Sequence, residues 1–245
     1  MVDWHRATVE GIHDETATAR TLSLRIDDWP GQLSGQHLDL RVTAPDGYQA
    51  SREYSIASGA STDDPGALVE VSVEELAEGE VSPYLVRGIE VGDRIEVRGP
   101  VGGYFVWRRE QPEPIQLIAG GSGVVPLMSM LRTHAAAGHP TPMRLLYSVR
   151  GPQFVFYADE LRRLAADSPG EVRIDYAFTR QAPEGTDRSV GRLVRTEVES
   201  LTVPVERSPT TYVCGPNSFV EQMAGWLVDL GHPAERVRTE RFGGA

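Results

Sequence analysis

Through roughly the first hundred residues, apolar positions come in short runs: His5–Glu10, Thr18–Ile26, His37–Val42, Arg52–Ser58, Leu68–Val73 and Arg94–Arg98. Turn-forming residues separate them at Trp29-Pro-Gly31, Ala44-Pro-Asp-Gly47 and Gly59–Gly66. Runs this short and this often interrupted predict an antiparallel barrel or sandwich, with a six-stranded antiparallel β-barrel preferred and one helical turn near Ser82–Arg87. Beyond the charged, proline-containing stretch Arg108–Pro114 the pattern changes. Apolar runs at Ile115–Ala119, Arg144–Val149, Arg173–Thr179 and Thr211–Cys214 alternate with helical spacing over Pro126–Ala137, Phe156–Ala166, Gly191–Ser200 and Ser218–Leu230. That alternation predicts a parallel α/β sheet, hence two domains, residues 1–111 and residues 112–245.

Composition narrows the partners. Hydrophobic residues make up 40% and charged residues 24% of the 245 residues, an ordinary globular balance. No run of about 18 apolar residues occurs, and the opening MVDWHRATVEG lacks a basic-then-apolar leader. The expectation is a cytoplasmic protein with no membrane partner. All 24 positive side chains are arginine, so no lysine is available for a Schiff base or a P-loop. A net charge of −11 argues against a nucleic-acid partner, because a polyphosphate backbone needs a basic surface. The single cysteine, Cys214, excludes an internal disulfide, a four-cysteine zinc site and a four-cysteine iron–sulfur cluster within this sequence. No metal site is expected: the six histidines form no ligand pattern, and His134 and His139 read as solvated surface at a helix end and turn.

Three stretches carry candidate chemistry. In SREYSIAS, residues 51–58, period-two alternation puts Arg52, Tyr54 and Ile56 on one face and Glu53, Ser55 and Ala57 on the other. A cation and an aromatic ring presented together suit a flat anionic ligand, and an ordinary half-buried strand is the plain alternative. An apolar strand followed by Gly120-Gly121-Ser122-Gly123 and a helix beginning near Pro126 forms the second stretch. Glycines let backbone amides approach a pyrophosphate, the helix N-terminus favours its charge, and proline is tolerated in a first turn. The third, Thr211-Tyr-Val-Cys-Gly-Pro-Asn217, repeats the device at a later strand end and would bring Cys214 near whatever the first loop binds.

Six motifs occur in one order and spacing: Arg52-Glu-Tyr-Ser55, Gly79-Glu-Val-Ser82, Gly99-Pro-Val-Gly102, Gly121-Ser-Gly-Val-Val-Pro126, Cys214-Gly-Pro-Asn217 and Glu240-Arg-Phe242. Nearly the whole chain thereby resembles the ferredoxin–NADP reductase superfamily, and is most similar to its bacterial oxygenase-reductase branch. The resemblance implies that the first domain holds FAD. Arg52 would pair with a flavin phosphate, Tyr54 would pack on the isoalloxazine beside Ile56, and Ser55 would hydrogen-bond near the reactive flavin nitrogen. Gly79, Val81 and Ser82 match pyrophosphate contacts. Glu74, Glu75, Glu78 and Glu80 make that approach acidic, and Glu80 is expected to point away from the diphosphate.

For the pyridine nucleotide the resemblance implies Gly121, Ser122, Gly123 and Pro126 on the phosphate side. Cys214, Gly215 and Pro216 would lie under the nicotinamide, with Glu240 and Phe242 against the flavin. Ser55, Cys214 and Glu240 are the residues it places at the reacting atoms. Thr179 and Arg180, at the end of the third strand, are similar to the Ser-Arg pair that grips the 2′-phosphate in NADPH-using relatives, and Arg150 could assist. No acidic residue stands at either strand end, so NADPH is favoured, with NADH and, at the flavin site, FMN left open. The expected activity is hydride uptake from NAD(P)H onto FAD and delivery of electrons to a separate acceptor, a ferredoxin or an oxygenase component, docked on a local patch such as Arg108 and Arg109. The alternatives are an NAD(P)H:flavin reductase and a flavin-binding electron-transfer subunit of a larger complex.

Overall fold

The computed structural model describes residues 3–44, 46–61, 68–168 and 170–242. Pro45 and residues 62–66 of the two expected loop turns lie outside the described residues. The chain divides into two compact units, Met1–Arg108 with Met128–Thr133, and Arg109–Leu127 with His134–Ala245.

In the first unit, β1 (Trp4–Thr16), β2 (Ala19–Ile26), β3 (His37–Thr43), β4 (Gln49–Ser55), β5 (Val69–Glu74) and β6 (Arg94–Val101) form one sheet in the order β4-β3-β6-β1-β2-β5. All the pairings are antiparallel. The sheet closes where β4 runs on to Ile56: Ile56 bridges Val71, and the Ala57 amide donates to the Glu70 carbonyl at 2.7 Å. Closure removes both free edges. Alternation puts Leu22 and Leu24, Leu38 and Leu40, and Val71 and Val73 inside, where they make one core with Val97, Val81 and Leu85. The expected helical turn lies at Tyr84–Gly88, wound as a single π-type turn.

In the second unit, β7 (Ile115–Gly120), β8 (Met143–Val149), β9 (Val172–Phe178), β10 (Thr210–Pro216) and β11 (Val237–Phe242) form a parallel sheet in the order β11-β10-β7-β8-β9. Every residue of β7 is buried, as the central strand of a sheet covered on both faces must be. The helices are α1 (Val124–Ala137), α2 (Ala158–Asp167), α3 (Arg195–Leu201) and α4 (Asn217–Asp229). Strand order reverses between β7 and β10, the position where open α/β sheets have their ligand crevice.

The segment carrying Glu240 and Phe242 is the edge strand β11, which pairs in register with β10. Three expectations are corrected. Helix α2 starts two residues late, because Phe156 and Tyr157 are buried and Tyr157 takes a left-handed conformation at φ 56°. Helix α3 starts at Arg195, since residues 191–194 stay extended or bent. His134 is buried, not solvated: its Nε2 lies 2.7 Å from the Thr141 carbonyl, and burial lowers its pKa. Among the described residues no helix is long and apolar enough to cross a membrane, and no cluster of His, Cys, Asp or Glu could hold a metal ion.

Candidate functional site

Strand β4 presents the first group of residues. Its exposed cation, Arg52, paired with Leu40 of β3, donates through Nη1 to the Ser51 carbonyl at 2.8 Å and through Nη2 to Glu80 Oε2 at 2.7 Å. Two residues on, the half-buried Tyr54 ring packs against the barrel core. Burial pushes its phenol up to about 12, against the opposing pull of the Arg52 charge, so the ring is neutral at physiological pH. Ser55 is buried. Ile56 is wholly enclosed and its amide donates to the Gln36 carbonyl at 2.9 Å, so its side chain belongs to the core and offers a ligand no surface.

Across the barrel end, Gly79–Ser82 turns into the π-type helical turn. The Gly79 amide donates to the Leu76 carbonyl at 2.8 Å, and Ser82 Oγ accepts the Leu76 amide at 3.0 Å. The amides of Glu80, Val81 and Ser82 meet no acceptor among the described residues. Backbone donors left unmade carry a free-energy cost unless something else accepts from them. Three such donors in succession, beside an exposed arginine, fit the diphosphate of a dinucleotide such as FAD. The helical turn is five residues long, so the amides themselves, rather than a helix dipole, supply the attraction. Glu80 is half-exposed. It holds Arg52, and Tyr48 Oη donates to its other oxygen at 3.3 Å. Glu75 is paired with Arg87 at 2.7 Å.

The second group lies at the strand-order reversal in the parallel sheet. After β7, Gly121–Gly123 makes one tight 3₁₀ turn that runs directly into α1. Gly121 sits at φ +56°, a left-handed conformation that costs other residues strain. At Gly123 the requirement is space: a Cβ there would lie 2.2 Å from the Cys214 carbonyl oxygen and 2.7 Å from the Gly215 nitrogen. The loop is thus seated on the backbone of β10's end. Pro126 occupies the third helical position, where its missing N–H leaves no bond unmade.

Cys214 is fully buried. Burial foremost, and then the charge of Glu240, raise its thiol well above the usual value, while a backbone hydrogen bond with Gly215 opposes them. It is therefore a neutral thiol, unsuited to nucleophilic work. Glu240 is its direct neighbour across the β10–β11 pair, and Phe242 neighbours the exposed Pro216.

At the far strand ends, the Arg180 amide donates to the Arg150 carbonyl at 2.9 Å and the Thr179 amide to the Val149 carbonyl at 2.9 Å. Two exposed guanidinium groups therefore leave from adjacent positions. Neither forms an ion pair among the described residues.

Sequence reasoning missed three participants. Tyr48 stands in the hairpin turn between β3 and β4, and no local pattern ties it to Glu80. Arg188 fastens the loop that follows Arg180, donating to the carbonyls of Phe178 at 3.3 Å and Gly191 at 3.1 Å and to Glu197 at 3.0 Å. Burial pushes the Glu197 carboxyl up, yet hydrogen bonds from Arg188 and from the Val194 amide, with the Arg188 charge, hold it below its ordinary range. An arginine in a polar loop gives no advance sign of such a clamp.

Comparison with known proteins matches two families along the chain. Residues 7–106 match the family described as Oxidoreductase FAD-binding domain, and residues 117–224 the family described as Oxidoreductase NAD-binding domain. The chain is 32% identical over 243 residues to an NADPH oxidoreductase of Mycobacterium tuberculosis, covering 97% of this chain and 60% of that protein. It is 30% identical over 246 residues to the reductase component of a propane 2-monooxygenase of Mycolicibacterium smegmatis, covering 97% of this chain and 67% of that one. In structure it shares the fold of the FAD/NAD-binding domain of a nitric oxide dioxygenase from Vibrio cholerae, with a TM-score of 0.84 and 24% identity over 98% of this chain and 99% of that one. The chain spans about half to two thirds of the length of the curated relatives it matches.

Proposed function

Since the chain belongs to the ferredoxin–NADP reductase superfamily, we propose that it takes a hydride from NAD(P)H onto bound FAD and passes the electrons to a separate acceptor such as a ferredoxin or an oxygenase component. The observation that carries this reading is that one chain bears two different arrangements suited to phosphate. One is the row of acceptor-free amides at Glu80–Ser82 beside Arg52, and the other is the glycine turn seated on Cys214–Gly215. Residues 1–111 are proposed as the flavin domain and residues 112–245 as the nucleotide domain.

FAD, when bound, would supply the chemistry of accepting a hydride and releasing electrons singly or as a pair. What this chain's residues do is hold and shield. Arg52 and the amides of Val81 and Ser82 bind phosphate oxygens, and the neutral Tyr54 ring gives a flat apolar face. Ser55 offers a buried hydroxyl, which can hydrogen-bond to a ring nitrogen. Gly121, Ser122 and Gly123 hold the nucleotide's phosphates. Cys214 stays protonated and packs, with Gly215 and Pro216 forming the floor for a nicotinamide. Glu240 and Phe242 flank that floor from β11. Arg150, Thr179 and Arg180 select NADPH through its 2′-phosphate, in keeping with the relative named an NADPH oxidoreductase. The exposed Arg108 and Arg109 are the proposed contact for an acidic acceptor.

A second reading, NAD(P)H:flavin reductase, is favoured by one observation, the Glu80–Arg52 pair, which loosens the hold on a flavin phosphate. The test of the main reading is anaerobic mixing with NADPH, and separately with NADH, while flavin absorption is followed. Rapid bleaching, faster with NADPH, is expected. A yellow protein that neither nucleotide bleaches would replace the reading with a partner-dependent electron-transfer subunit.

A further inference from the structure

Glu80 occupies the group that a flavin phosphate needs. Its Oε2 takes Arg52 Nη2 at 2.7 Å, while Nη1 of the same guanidinium is turned back to the Ser51 carbonyl at 2.8 Å. The carboxylate is no stray surface charge. It belongs to the turn whose amides at positions 80, 81 and 82 have no acceptor, so an anion seated on those amides lies within a residue or two of it. Tyr48 Oη, 3.3 Å from the other carboxylate oxygen, keeps it aimed at Arg52. The next arginine along the same turn, Arg87, is already held by Glu75 through Nε at 2.7 and 2.9 Å and offers no substitute cation.

We propose that Glu80 is a built-in competitor for the flavin phosphate at Arg52, so that FAD must displace a carboxylate to bind and is held loosely enough to exchange. This inference rests on the flavin-site reading above and adds to it a residue that sets affinity. Both partners of the pair are half-exposed, at 53% each. Such a pair is labile, shifting an equilibrium by no more than about fivefold, whereas a diphosphate brings more charge and can engage the guanidinium and the free amides together. Phosphate therefore wins, but against resistance. On its arrival Glu80 leaves Arg52 and keeps Tyr48 as its remaining partner. Flavins that lack a phosphate have no part in this contest, and that sets the signature of the mechanism.

The experiment is a titration of the full chain, freed of flavin, with FAD, FMN and riboflavin, following flavin fluorescence. Glu80→Gln keeps the shape and removes the charge on an exposed side chain, so folding is undisturbed. It should tighten FAD and FMN by roughly two- to fivefold and leave riboflavin unchanged. Tyr48→Phe should move FAD affinity in the same direction by less. In an Arg52→Ala background, where FAD and FMN lose their advantage over riboflavin, Glu80→Gln should no longer tighten either. Weaker or unchanged FAD binding in E80Q overturns the inference, as does an equal gain for riboflavin or a gain that persists without Arg52. If the parent protein binds FAD and riboflavin alike and Arg52→Ala changes neither, it is the placement of the phosphate at Arg52 that fails, and the inference fails with it.

Discussion

Replacing Gly123 with alanine tests the seating of the nucleotide loop, because the backbone there is ordinary and only space is at issue. Its φ is −59°, which any residue adopts, yet the added Cβ would lie 2.2 Å from the Cys214 oxygen, 2.5 Å from its carbonyl carbon and 2.7 Å from the Gly215 nitrogen. All three are backbone atoms and cannot rotate away. Ordinary contact begins at 3.4 Å, so the loop and the end of β10 must part by roughly 1 Å, an overpacking that costs about 1–3 kcal/mol. Amides displaced that far lose charge-assisted hydrogen bonds to a phosphate, worth about 1.5–3 kcal/mol each, so NADPH affinity should fall at least about tenfold. Gly121 makes the control. A Cβ there meets nothing within 4 Å, and the demand is only for φ +56°. Asparagine tolerates that conformation, so Gly121→Asn should stay within about 1 kcal/mol of the parent while Gly123→Asn is at least as damaging as Gly123→Ala. Urea unfolding followed by circular dichroism gives the stability, and quenching of protein fluorescence by NADPH gives the affinity. A Gly123→Ala protein with the parental urea midpoint and the parental NADPH affinity would refute the close approach on which this reasoning stands.

Two further outcomes follow from charges. Arg180→Ala, alone and with Arg150→Ala, should raise the KM for NADPH about tenfold per guanidinium and leave that for NADH nearly unchanged; equal losses for both nucleotides would remove these arginines from 2′-phosphate recognition. Cys214 bears on alkaline stability. Its folded pKa is raised, so the folded state keeps a proton that the unfolded chain gives up near pH 8.5, and the stability this residue contributes is present below that pH and lost as pH rises. Above about pH 8.5 the parent should lose stability with rising pH that Cys214→Ala does not lose, measured by urea melts at each pH. A Cys214→Ala variant with the same alkaline slope as the parent would show the thiol to be ordinary.

Much of this protein was legible along the chain, because strands, turns and glycine loops are read from neighbours. The run beginning at Arg52 lies in a strand, and Gly121-Ser-Gly123 stands between an apolar strand and a helix as its spacing required. The second sheet's buried strands were visible as unbroken apolar runs. What tertiary structure decided are relations between residues far apart in sequence. VRTERF, residues 237–242, is too polar to announce a strand, and it becomes β11 only because β10 offers a free edge whose register sets Glu240 beside Cys214. His134, at a helix end, was buried by a turn that folds back over it. Glu80 reaches Arg52 across 28 steps of chain only because barrel closure brings the turn after β5 beside β4. Local periodicity assigns a side chain to a face; which charge meets it there depends on strand register and closure, and these are settled only when the whole barrel or sheet buries its core at once.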